Sequence, residues 1–218
     1  MDDALVKTLT EKIDSLPEEY ISLKQQARKY LRNNSNVDKN ETVNIFHRPW
    51  VAPFNWGIKL YKGAPPAWIE EVSERTGKVM PDFYGRFLSF VNGAFIYDLS
   101  LYGISSSIRE KNLLDRSTLQ CHDLILANTD WIQEYKVGNN YFHFGSRSYS
   151  YTENIGYFFA DHKIKAIRKN GKAIKEWTDF SIFLDDEIPI VEAMMREKIP
   201  QIDTIDKMPW WKFWKPRD

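Results

Sequence analysis

A single cysteine, Cys121, is all that this 218-residue sequence contains. That excludes an intramolecular disulfide and suits a reducing compartment. Excess charge of either sign is also missing, since 30 Lys and Arg stand against 30 Asp and Glu. A dedicated nucleic-acid binder normally shows a basic excess, so no direct nucleic-acid partner is expected. No stretch approaches the roughly 18 uninterrupted apolar residues of a membrane span. The opening MDDALVKTLTEKID is charged throughout and lacks the apolar core of a signal peptide, so a cytoplasmic, soluble chain is expected. Material for a core is present, with 43% hydrophobic and 15% aromatic residues, which argues against wholesale disorder.

The first 34 residues have helical periodicity. Leu5, Leu9, Ile13 and Leu16 form one apolar stripe, and Tyr20, Leu23, Ala27 and Tyr30 form another. Ser15-Leu16-Pro17-Glu18 between them has capping-box spacing, which predicts two helices. NNSNVDKNE, residues 33–41, reads as a linker or loop. Residues 42–66 carry short alternations such as Val43-Asn44-Ile45 and predict one or two short strands, with Pro65-Pro66 dividing this arm from the compact region after it. The expected organisation is an N-terminal helical extension and arm over 1–64, a domain over 65–198 and a Trp-rich tail over 199–218.

The segment MPDFYGRFLSFVNG, residues 80–93, is the most informative. Pro81 suits a first helical position and Asp82 complements the helix dipole. Phe83, Phe87, Leu88 and Val91 make one stripe, and Asn92-Gly93 reads as the C-cap. Before it, Trp68, Ile69 and Val72 predict a short helix ended by Gly77. After it, residues 94–103 alternate as one strand, with Ile96, Asp98, Ser100 and Tyr102 on the more polar face. Ser117-Thr118-Leu119-Gln120 matches a capping box for a helix running past Trp131 to Gly138. Strand signals come next at 141–144, 149–152, 156–160, 163–169 and 172–177, and Asn170-Gly171 marks a hairpin. Thr178 is the expected cap of a last helix through Phe180, Ile182, Phe183 and Leu184. Helices around a hairpin meander predict an α+β fold with a mainly antiparallel sheet of five to six strands.

Chemistry-bearing patterns are sparse. His47, His122, His143 and His162 are scattered, none at the spacing of a helical metal pair. Cys121-His122-Asp123 lists a nucleophile, a base and an acid, but neighbours on a helix point about 100° apart, so a buried helical cysteine is the expectation. His143 and His162 with Asp161 lack further ligands to complete a metal shell. Gly145-Ser146-Arg147-Ser148 lacks the spacing of a phosphate-binding loop. KIKAIRKNGKAIK, residues 163–175, fits a half-buried hairpin with a lysine-coated outer face, which discourages strand aggregation. No catalytic residue, cofactor or metal is therefore expected. The tail MPWWKFWKPRD, with Trp210, Trp211 and Trp214, suits three roles: folding back over the domain, anchoring in a partner's pocket, or lying at a membrane interface.

The order of these features resembles a SUKH domain, the superfamily of bacterial toxin-immunity proteins and fungal regulators of cell-wall synthesis. The resemblance runs through Trp68-Ile69, Met80-Pro81, Tyr84, Phe87-Leu88, Asn92-Gly93, the stretch from Asp123 to Trp131, Phe144-Gly145-Ser146, Gly156-Tyr157-Phe158, and Trp177, Phe180, Phe183 and Leu184. Met80 departs from it, since such domains more often carry leucine there, and residues before 65 have no counterpart. The resemblance implies a non-catalytic protein-binding module, an immunity protein whose partner is a toxin such as a nuclease or deaminase. The alternative it implies is a regulatory scaffold for an endogenous protein, for example in cell-wall synthesis. Asp98 and Tyr102 on the polar face, and Trp210, Trp211 and Trp214 in the tail, are the candidate partner-binding residues.

Overall fold

Leu9 and Ile13 of the first helix, Leu23 and Ala27 of the second, and Phe183 and Leu184 of the last are fully buried in one core. All three helices lie on the same face of a sheet. The computed structural model describes residues 3–31, 35–48, 51, 55–105, 121–148 and 154–197. In order these form α1 (Asp3–Asp14), α2 (Ile21–Lys29), β1 (Asn36–Val37), β2 (Val43–His47), β3 (Trp56–Lys62), α3 (Pro66–Thr76) and α4 (Asp82–Phe90). They continue with β4 (Val91–Ile96), β5 (Leu99–Leu101), α5 (Leu124–Thr129), β6 (Phe142–Ser148), β7 (Asn154–Ala160), β8 (Lys163–Arg168), β9 (Ala173–Trp177) and α6 (Phe180–Glu197).

The fold is α+β, and among the described residues its sheet has nine strands in sequence order, each antiparallel to its neighbours. The five to six strands expected from sequence fall short for two reasons. First, β1 to β3 extend the same sheet through β3–β4 pairing (Ile58 with Ile96, Leu60 with Ala94), although Pro65-Pro66 intervenes in the chain. Second, the single strand expected over 94–103 is folded back on itself. Tyr97 takes φ +55, and Ile96 pairs with Leu99 across a tight turn. A tyrosine in the left-handed region gives no turn signal in sequence.

The register sorts side chains into two faces. Val37, Val43, Leu60, Ala94, Leu101, Gly145, Tyr157 and Ala166 are consecutive neighbours across the sheet. The next such row is Ile45, Ile58, Ile96, Leu99, Arg147 and Ile155. Arg168, opposite Ile155, ends this row, and Arg147 is a buried charge within the mainly apolar face. Its Nε donates to Glu187 of α6 at 2.8 Å and to Tyr157 Oη at 2.9 Å, and the two charged side chains are only 7% and 2% exposed. The offset row on the other face is mixed: Asn36, Asn44, Lys59, Phe95, Ser100, Ser146, Gly156, Ile167 and Ala173.

Local signals are met unevenly. Gly77 ends α3 in the left-handed conformation (φ 64). The Asn170-Gly171 hairpin forms, with Gly171 at φ +85 donating to Arg168 O at 2.8 Å. Its lysines pair with acids, Lys163 with Glu176 and Lys175 with Asp186, and Ile164 and Ala166 are buried while Ile174 is exposed. The two N-terminal helices are present, but the capping box between them is not. Pro17 precedes a 3-10 turn (Glu18–Tyr20), and Ser15 Oγ donates back to Lys12 O. Asp179, not Thr178, caps α6, its Oδ1 accepting from Ser181 N at 2.7 Å. α4 ends at Phe90, before Asn92-Gly93, which lie inside β4. The Ser117–Gln120 capping box, the strand signal at 149–152 and the Trp-rich tail lie outside the described residues. No helix among the described residues is long and apolar enough to cross a membrane.

Removing one member of a buried ion pair leaves the other charged in an apolar environment, at a cost of about 3–5 kcal/mol. Arg147→Met is therefore expected to lower the urea-unfolding free energy by about that amount, and Arg147→Met/Glu187→Leu to recover most of it. A loss under about 1 kcal/mol in the single variant would contradict a structural role for the pair.

Candidate functional site

Asn92 and Gly93, which the sequence pattern assigned to a helix end, build the corner of the site. The Asn92 side chain imitates a strand: its Nδ2 donates to Ile104 O at 2.9 Å and its Oδ1 accepts from Ile104 N at 2.7 Å. Gly93 has φ +84, and a Cβ there would lie 2.8 Å from Gly103 N and 2.9 Å from Cys121 Cβ. Only a bare backbone permits this approach. Gly103 in turn bridges to Asp123, its N–H donating to His122 O at 2.9 Å and its carbonyl accepting from Leu124 N at 2.7 Å. His122 is thereby fixed over the mixed face of β5.

Ser100 Oγ and His122 Nδ1 are 2.9 Å apart. The imidazole has rings on three sides: Phe95 at 4.9 Å, Tyr102 at 5.8 Å and Trp131 at 5.8 Å between centroids. His122 is exposed, Phe95 and Trp131 are half-buried, and Ser100 and Tyr102 are buried. Partial desolvation by the surrounding rings lowers the His122 pKa, which favours the neutral ring. Its Nε2 has no hydrogen-bond partner among the described residues, so either tautomer leaves one polar atom for an incoming group.

Other elements lock this patch from behind. Tyr84 of α4 places its hydroxyl 2.5 Å from Tyr102 O and 2.8 Å from Phe144 O, holding the end of β5 against β6. Asn128 of α5 donates to His143 O and accepts from His143 N, both at 2.8 Å, which seats α5 and the following Trp131 turn beside β6. The His143 ring stacks on Phe158 at 4.3 Å, and its Nε2 lies 3.0 Å from Gly145 O, which makes that nitrogen the protonated one. Complete burial pushes the His143 pKa down to about 3.

The residues selected from sequence do not gather in one place. Tyr102 belongs to the patch, but as a buried wall and not as a contact surface. Asp98 sits in the hairpin turn at the opposite end of β5, near Arg48, whose charge it stabilises. Trp210, Trp211 and Trp214 are outside the described residues. In Cys121-His122-Asp123 the three side chains diverge, and they precede α5 instead of lying in a helix. Cys121 is buried against Gly93 and Gly103, and burial pushes its thiol up to about 12, well away from a reactive thiolate. Asp123 caps α5 through Leu126 N at 2.8 Å and accepts from Ser105 N at 3.0 Å. His162 occupies the turn after β7 at φ +59 while His143 is interior, and no group of three His, Cys, Asp or Glu side chains among the described residues is placed to hold a metal.

Ser100 and His122 differ from a hydrolytic pair in two respects. In a triad the base is oriented by a carboxylate on its second nitrogen and the hydroxyl faces substrate. Here Nε2 has no carboxylate partner among the described residues and the hydroxyl is buried. The arrangement is suited to presenting a rigid imidazole within an aromatic rim. Comparison with known proteins returned no matching family model, no matching curated protein and no matching solved structure.

The buried neutral imidazole of His143 has a pH signature. Its folded pKa, about 3, lies below the unfolded value of about 6.5, so the unfolded chain binds more protons in between. The contribution is fully present above about pH 6.5 and is lost as pH falls toward 3. Urea unfolding between pH 6.5 and 5 should show a stability slope approaching 1.4 kcal/mol per pH unit steeper in the native chain than in His143→Gln. Parallel slopes would contradict it.

Proposed function

We propose that this chain is a non-catalytic binding module of SUKH type, an immunity protein that captures and neutralises a bacterial toxin. The observation that carries the binding reading is the exposed His122 imidazole, anchored by Ser100 and rimmed by Phe95 and Trp131 on a rigid sheet. Aromatic anchors held in place before contact lose little entropy on binding, and an imidazole nitrogen among them supplies direction. The order of motifs from Trp68 to Leu184 supports the toxin as the partner, and a single buried thiol is compatible with a cytoplasmic setting.

The test begins with the purified chain as bait in its native cell, with retained proteins identified by mass spectrometry. A toxin catalytic domain held one to one, and silenced in the complex, is the expected result. His122→Ala and Trp131→Ala should then weaken affinity by about tenfold or more, roughly 1.4 kcal/mol each. Asp98→Ala in the same assay decides whether the hairpin turn belongs to the contact. Retention of an envelope or signalling protein instead would move the chain to the regulatory reading.

A further inference from the structure

A second concave surface lies on the opposite, helix-covered side of the sheet. The 3-10 turn, the first turn of α4 and the first turn of α6 converge around a cavity of about 270 Å³. Its lining combines rings (Tyr20, Phe83, Phe180) with charges (Glu19, Asp82, Asp179, Arg86). Phe83 and Phe180 are tilted against each other at 5.1 Å, and Tyr20 meets Phe180 edge-on at 6.2 Å.

Some of these groups already have local duties. Asp179 caps α6 and Glu19 pairs with Arg86 Nε at 3.2 Å. Asp82 does not. Its carboxylate is exposed and has no hydrogen bond or ion pair among the described residues. Tyr20 is only 2% exposed, its hydroxyl sealed inside the fold beside the Glu19 carboxylate. Burial and that carboxylate raise its pKa, so it stays a neutral phenol whose ring contributes to the lining.

The lining also sets the sign of the missing charge. The N-terminal ends of α4 and α6 each contribute roughly half a positive charge. Set against these ends and Arg86, the three carboxylates leave the cavity negative by about one charge. A monocation balances it. The ring floor favours a flat, weakly hydrated cation, and a guanidinium stacks on aromatic faces while donating in its plane.

We infer that this cavity receives the guanidinium of an arginine side chain presented by a protein partner. Its N–H groups donate to the Asp82 carboxylate, and its face lies against Phe83 and Phe180. The inference rests on the protein-binding reading for the source of the arginine, but not for the chemistry of the cavity.

The test titrates the full chain with N-acetyl-arginine methylamide and, separately, with its neutral isostere N-acetyl-citrulline methylamide, following backbone amide NMR shifts. The arginine probe should give saturable shifts at residues 19–20, 82–86 and 179–181, with citrulline about fivefold weaker or more. Asp82→Asn and Asp82→Ala should each weaken the arginine probe about threefold or more. Thermal unfolding confirms that each variant is folded. Equal response to both probes, shifts elsewhere, or variants that bind like the native chain would overturn the inference. Probe binding without toxin capture would sustain the cavity and defeat the immunity reading, and capture without probe binding would do the reverse.

Discussion

The placement of α6 depends on one buried charge. Arg147 projects from the apolar face of β6, where an unpaired guanidinium would be prohibitively costly, and Glu187 is the carboxylate that meets it. The pair fixes both the rotation of α6 and its position along the sheet. With Glu187 over β6, Phe183 falls one turn upstream and Phe180 two turns upstream on the same face, where they pack against Phe144 and Tyr157. The hydrophobic contacts supply most of the stabilisation, but they would tolerate a sliding helix better than the ion pair does. Tyr157, bonded to both partners, leaves little room for an alternative arrangement.

Tyr84 links the helix-side cavity to the histidine patch across the sheet. Its ring is in the aromatic cluster with Phe87 and Phe180, and its hydroxyl reaches through to the backbone of Tyr102 and Phe144. Both surfaces therefore rest on the same rigid element. Each presents a few polar atoms against packed rings, an arrangement that favours recognition by side-chain geometry.

Much of this could be read from residue order, and the failures have identifiable causes. The apolar stripes of α1, α2 and α4 and the glycine stops at Gly77 and Gly171 are local, so a linear pattern reports them faithfully. Alternation placed Ile96 on one face with Ser100, but the turn at Tyr97 sets Ile96 beside Leu99 in the apolar row and Phe95 beside Ser100. Asn92-Gly93 misled because both residues serve equally in a helix cap and in a close backbone crossing, and only the approach of Gly103 and Cys121 distinguishes them. The turn at Tyr97 was invisible because its left-handed backbone is imposed by tertiary packing, with Gln26 donating to its hydroxyl at 2.9 Å. Missing that turn hid the Phe95–Ser100 pairing, and with it the rim around His122. Of the site, the sequence singled out Tyr102, while His122 was one of four scattered histidines and too common a signal to stand out.

Because the nine strands are arranged in chain order, each strand finds its pairing partner in the segment just before it. Strand registration can thus proceed from one end to the other without waiting for distant sequence, which limits the loop-closure entropy of each step. Drying the core cannot proceed that way. Phe180, Phe183, Leu184, Ile188, Val191 and Met195 all come from α6, the last described element, and all are buried. During synthesis the sheet can be paired well before α6 completes the cover over its apolar face, and in that interval the nascent chain exposes apolar surface that favours aggregation.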